Sequence, residues 1–127
     1  MRHRAVAQLL LLAGVGLTPT CSREPSASTT QAGREFLSAA ARGDSMALES
    51  LTTNSDSRRR VWEYARHRPG LVAAAAMSIT LVHLEVRSDT AFATFTIPGS
   101  AQRGRDFVMS LVRVHDAWKV SYFAAPQ

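Results

Sequence analysis

The chain of 127 residues has one cysteine, so an internal disulfide cannot form and a disulfide scaffold is excluded. Lysine is equally scarce: of 15 basic residues 14 are Arg, a bias that reads as coding composition more than as selection for a partner. No apolar run reaches the ~20 residues needed to cross a bilayer core. No concentrated basic stripe with interleaved aromatics is present either, and aromatics make up only 7%, so a nucleic-acid partner is not expected. What remains is 46% hydrophobic and 20% charged, the make-up of one ordinary globular domain. The formal charge is +5, and without Arg2 and Arg4 it falls to +3 on residues 21–127, thirteen cations against ten acids.

Those two arginines belong to a basic start, Met1-Arg2-His3-Arg4, followed by 13 residues (5–17) that are apolar apart from Gln8. A positive region and then a short apolar core is the layout of a secretory signal peptide, assigned here to residues 1–20. Gly14 and Gly16 and the Ser/Thr/Pro-rich stretch behind them argue against a buried helix.

Cys21 comes four residues after the apolar core. Its place resembles the cleavage site of bacterial lipoproteins, in which the thiol receives a diacylglycerol and becomes the first residue. The residues before it, Leu17-Thr18-Pro19-Thr20, set Leu one place earlier than the family prefers. The resemblance implies lipid attachment at Cys21 and a membrane-anchored protein of the bacterial envelope. Ordinary signal-peptide cleavage would instead leave a secreted or periplasmic soluble chain. Residues 22–31 hold almost no large apolar side chain, so residues 21–31 are expected to be a lipidated Cys with a flexible tether. Residues 32–127 are expected to form a single domain.

In that domain Ser28-x-x-Gln31 has the form of a capping box, and Ala32, Phe36, Leu37 and Ala40 recur at helical spacing to about Arg42. Gly43 suits a helix end and Asp44 the cap of a short second helix carrying Leu48 and Leu51. Asp56 or Ser57 is expected to cap a third helix with Val61, Trp62 and Ala65 on its apolar side, ended by Pro69-Gly70. Residues 71–77 fit either helix or strand.

From Ser78 the period changes to two. Ser88-Asp89 is read as a two-residue turn, pairing Arg87 with Thr90, Val86 with Ala91, Leu84 with Ala93, Val82 with Phe95 and Thr80 with Ile97. Strands over 105–114 and 118–123 are expected to turn at Asp116-Ala117, pairing His115 with Trp118, Arg113 with Val120 and Leu111 with Tyr122. About three helices packed on a curved four-stranded antiparallel sheet is an α+β fold.

Two stretches carry a resemblance. Residues 32–44, Ala-Gly-Arg-Glu-Phe-Leu-Ser-Ala-Ala-Ala-Arg-Gly-Asp, are similar to the helix-then-Gly-Asp opening of the nuclear-transport-factor-two-like superfamily. Residues 111–120, Leu-Val-Arg-Val-His-Asp-Ala-Trp-Lys-Val, resemble its final hairpin. The superfamily, which includes polyketide-cyclase-like and ketosteroid-isomerase-like proteins, implies a cystatin-like cone. The chain resembles in particular the small lipoproteins that carry such a domain.

Chemistry is sparse. His67, His83 and His115 share no metal-ligand spacing, no nucleophile elbow exists, and no metal or cofactor is expected. His83 and Glu85 share one strand face, the outer one on this register. Thr80, Arg113, His115 and Tyr122 are the polar groups sent inward, and Arg113 with Tyr122 would suit an anionic or phenolic ligand. The alternative puts both at the rim, with the Arg head in water. Asp89, Asp106 and Asp116 fall at turns, which leaves no inward acid for isomerase chemistry.

Arg58, Arg59 and Arg60 form the most basic stretch and are read either as a contact with anionic headgroups or as a solvated helix face. The outer sheet face is half apolar, which marks a contact surface, and the resemblance implies a homodimer there with Val112 and Phe123 near its centre. The leading functional reading is an envelope-anchored, non-enzymatic module that binds a small ligand or an envelope protein. The competing one is a cavity enzyme of the polyketide-cyclase or ketosteroid-isomerase type.

Overall fold

A computed structural model describes residues 24–98 and 106–126, so the segment read as a signal peptide and Cys21 lie outside the described residues. Helix α1 runs over Pro25–Arg42, starting well inside the stretch read as a tether. Pro25 occupies the first helical turn, where its fixed φ and missing N–H cost nothing. Thr29 and Thr30 turn their hydroxyls back onto the Pro25 and Ser26 carbonyls, both at 2.7 Å, and Thr29 is fully buried. Residues 25–31 are therefore helix: Thr29 is buried with Ala32 and Gly33 on the packed side of α1, and back-bonding leaves its hydroxyl satisfied there. Ser28-x-x-Gln31 is no cap: Gln31 donates instead to Glu35, one turn on, at 3.0 Å.

Gly43 ends α1 with φ 69°, while Asp44 N–H reaches the Ala39 carbonyl at 2.9 Å and Gly43 N–H the Ala40 carbonyl at 3.1 Å. This is a Schellman closure, and it hands the chain to Asp44, whose carboxylate accepts from Ala47 N–H at 3.1 Å to cap α2 (Ser45–Leu51). Helix α3 (Ser55–His67) is capped by Asn54, which accepts from Ser57 N–H at 2.9 Å, rather than by Asp56 or Ser57. Asp56 then sits in the first turn, where a negative charge is favoured. Pro69 both stops α3 and opens α4 (Pro69–Ser78), so the segment 71–77 is helical and the described residues hold four helices.

The strands β1 (Thr80–Arg87), β2 (Thr90–Thr96), β3 (Asp106–Val114) and β4 (Ala117–Ala124) form an antiparallel meander in the order β1-β2-β3-β4. The first hairpin pairs as the turn dictates from Arg87–Thr90 to Leu84–Ala93. A bulge beside Val82 then slides the strand, so Leu81 opposes Phe95, Thr80 opposes Thr96, and Val82 is left 58% exposed. The second hairpin turns one residue early. His115 and Asp116 take φ of 51° and 66°, and the paired positive φ of such a tight turn suits Asp far better than Ala117. Arg113 therefore opposes Trp118 and Leu111 opposes Val120. A shift of the register between Ser110 and Leu111 leaves Ser121 unmatched, and beyond it Ser110 opposes Tyr122 and Met109 opposes Phe123. That one extra residue exchanges the faces of the last two aromatics. Phe123 points into the core, and Tyr122 points out.

All four helices lie on the inner side of the sheet. Phe36, Leu37, Leu48, Val61, Val72 and Ile79 from the helical layer meet Phe95, Phe107, Met109, Leu111, Val120 and Phe123 from the strands, every one at most 1% exposed. Phe123 is the hub. It stacks on Phe107 at 6.0 Å and meets Phe36 edge-on at 5.4 Å. Gly33 lets α1 lie close on the sheet, since a methyl there would come within 3.2 Å of the Phe95 ring.

Candidate functional site

The space between sheet and helices, where a cavity enzyme would work, is occupied by these core side chains. Among the described residues no Asp, Glu, His, Lys or Arg is buried, and the buried polar side chains are Thr29, Thr52 and Ser57. Each of the three is satisfied locally; Thr52, for example, donates to the Leu48 carbonyl at 2.7 Å. Nothing there is poised to move a proton.

The two residues expected to line a pocket are not brought together. Arg113 sits exposed at the sheet rim, its guanidinium 3.4 Å from the Asp89 carboxylate and 5.1 Å above the Trp118 ring. Its own N–H donates to the Asp89 carbonyl at 2.7 Å, so Arg113 ties the two hairpin turns together. Tyr122 is turned outward by the extra residue at Ser121, and the Arg60 guanidinium lies 5.6 Å from its ring centre. That pairing of helix and strand had no sequence signal. Thr80 is exposed, and His115 lies exposed in the last turn.

Arg58, Arg59 and Arg60 do not form one free basic face. Arg58 is half-buried and donates to Thr52 Oγ1 at 3.0 Å. Arg59 pairs with Asp56 and, at 3.7 Å, with Glu63. Arg60 holds the other Asp56 oxygen at 2.8 Å. The Arg60 hydrogen bond, with its charge and that of Arg59, holds the Asp56 carboxyl below its ordinary pKa, and Asp56 in turn raises that of Arg60. Arg2, Arg4, Arg23, Arg103 and Arg105 lie outside the described residues, which leaves ten cations against ten acids within them. The described surface is therefore electrically balanced.

His83 and Glu85 do share the outer face, as expected, but Glu85 pairs with Arg87. Among the described residues no cluster of His, Cys, Asp and Glu could hold a metal ion.

Two surfaces remain. One is a groove of about 560 Å³ between α2 and α3, floored by Leu48 and Trp62 and edged by Met46, Arg58 and Arg66. The other is the outer face of the sheet. Across it Glu85, Phe92, Ser110 and Tyr122 form one row and His83, Thr94, Val108 and Ala124 the next. Phe92, Val108 and Tyr122 are 43%, 40% and 42% exposed, with Val112 half-buried beside them. Phe123, expected at the centre of this face, is in the core instead, and Phe92, Val108 and Tyr122 form its exposed apolar part.

No family model matches the chain, and a comparison with curated proteins finds no match.

Proposed function

We propose that this chain is an envelope-anchored, non-enzymatic module, lipidated at Cys21, that binds an envelope protein through the outer face of its sheet. The filled interior carries the reading: aromatic side chains take up the space in which a small substrate or ligand would sit. The outer face supports it from the other side. Phe92, Val108 and Tyr122 lie on three adjacent strands around Ser110, with Thr90, Thr94 and Lys119 at the margin, exposed apolar side chains bordered by polar ones. The α+β architecture is also compatible with the cystatin-like roll of the nuclear-transport-factor-two-like superfamily, whose fold hosts binding modules as well as enzymes. Arg58, Arg59 and Arg60 are a secondary contact with anionic headgroups, limited by the pairing of two of them with Asp56.

The test is photocrosslinking of the full chain in intact bacterial envelopes, with a photoreactive phenylalanine at Phe92 or, for comparison, at Glu35 on the helical side. A discrete protein adduct from position 92 and none from position 35 is expected. Equal labelling from both positions, or none, would count against the outer face.

A further inference from the structure

The two edges of the sheet are finished differently. Along β4, Thr52 bridges Val120, Thr53 N–H donates to the Val120 carbonyl at 3.0 Å, and the Asn54 amide donates to the Ser121 carbonyl at 2.9 Å. That edge is covered at its middle, over Val120 and Ser121. At the opposite edge, among the described residues, no strand pairs with the outer side of β1.

The first hairpin fixes which groups of β1 are free. Arg87 and Thr90 flank a two-residue turn and so exchange both ladder bonds. Alternation then points the N–H and C=O of Leu84 and Val86 away from β2, toward the open edge. Their side chains lie on the helical side yet are incompletely covered, Leu84 half-buried and Val86 39% exposed. The bulge at Val82 blunts the start of this edge, which leaves His83–Arg87 as its regular part.

On the other side of that stretch His83, Glu85 and Arg87 alternate basic, acidic, basic. Such a pattern complements itself when antiparallel. Pairing of two copies about Leu84 sets Glu85 opposite the second copy's His83, and pairing about Val86 sets it opposite the second copy's Arg87. Both registers put unlike groups across the seam, where like charges would be destabilising.

We infer that β1 is a strand-addition edge whose occupant is β1 of a second copy, joining two four-stranded sheets into one of eight. The contact lies apart from the outer face and needs no lipid. It would double the continuous surface that carries Phe92, Val108 and Tyr122.

The experiment uses the full chain with Cys21→Ser, so that an introduced thiol is the only one, oxidised in intact cells. A self-disulfide from Leu84→Cys or Val86→Cys, with none from Val108→Cys, is expected, since Cα atoms of a directly opposed pair lie within disulfide reach. Crosslinking only from Val108→Cys, or from none of the three, would overturn the edge contact. Val86→Pro is the second arm. The Val86 N–H faces the open edge, so Pro removes no bond within one copy but blocks strand addition. A tenfold or greater rise in the dimer dissociation constant, with an unchanged circular dichroism spectrum, is expected from sedimentation. A dimer indifferent to that proline would overturn the proposal.

Discussion

The rings of Phe36 and Phe123 meet edge to face with centroids 5.4 Å apart, which joins the first helix to the last strand. Both side chains are at most 1% exposed, and Phe123 also stacks on Phe107. The two ends of the described chain are thus fastened at one point of the core.

Phe123→Ala should therefore cost about 3–5 kcal/mol, the range for emptying a buried Phe site. Tyr122→Ala, one residue away on the outside, should cost far less, through the ring's partial exposure and its contact with Arg60. Urea denaturation of the two variants checks this. Similar losses from both would mean that the faces of β4 are not divided as described.

That division is also where the sequence stops being legible. In Lys119-Val120-Ser121-Tyr122-Phe123 either aromatic satisfies an apolar face, so alternation alone cannot reveal one extra residue at Ser121. The early turn at His115-Asp116 was hidden for a related reason, since a shift of two residues preserves every face. By contrast Gly43-Asp44 and Ser88-Asp89 mark their places by backbone chemistry, and the structure follows them. The N-terminal turns of α1 were obscured by composition: Ser and Thr read as a tether until Thr29 is seen buried and bonded to Pro25. Of the candidate site, the apolar outer face was readable from alternation, while the Arg60–Tyr122 contact depends on that unseen residue.

Asn54 performs two tasks that substitutions can separate. Its Oδ1 caps α3 by accepting from Ser57 N–H, and its Nδ2 donates to the Ser121 carbonyl at the sheet edge. Asn54→Asp keeps the cap and loses only the donor, for an expected cost of about 0.5–1.5 kcal/mol. Asn54→Ala loses both and should cost about 1 kcal/mol more. The comparison is made by chemical denaturation. Equal losses would show that the cap contributes nothing.

Two glycines should respond to the same substitution with opposite signs. Gly33→Ala places a methyl 3.2 Å from the Phe95 ring, which is fully buried and has little room to withdraw. The ~1 kcal/mol gain in helix propensity is expected to be outweighed by that overlap. Gly70, in the first turn of α4, has nothing within 4 Å of the added carbon, so Gly70→Ala should stabilise by about 0.4–1 kcal/mol. Thermal melts of the two variants should move in opposite directions. A stabilised Gly33→Ala would mean that the contact between α1 and the sheet is looser than described.

Acid should weaken the fold in part through Asp44 and Asp56. Asp44 is held below its ordinary pKa first by the Ala47 N–H bond and then by Arg42, and Asp56 first by Arg60. A folded-state pKa below the unfolded one means that each ionised carboxylate contributes stability above the usual Asp range of about 3.9. The contribution is lost as pH falls through the lower, folded value. Asp56→Asn should thus be less stable than the parent near pH 6, and the difference should narrow as the pH falls from there toward 2. Denaturation midpoints across that interval provide the check. A constant difference at every pH would assign the effect to packing instead of charge.

The lipid anchor is the last expectation, and it turns on how little chain separates Cys21 from α1. The helix begins at Pro25, so three residues, Ser22 to Glu24, lie between the thiol and the first turn. At ~3.3–3.6 Å per extended residue they span only about 10 Å, which would hold the α1 start close to the headgroups. Mass spectrometry of the membrane fraction should find an acylated N-terminus at Cys21, and Cys21→Ser should block that processing; residues 22–127 expressed without the leader give the released form. A thiol added at Ser26, in the first turn of α1, should then be shielded from a bulky water-soluble maleimide in the anchored chain and react freely in the released one. A soluble parent chain with an unmodified Cys21 would remove the anchor. An acylated chain whose position 26 labels as fast as in the released form would keep the anchor and refute the close approach.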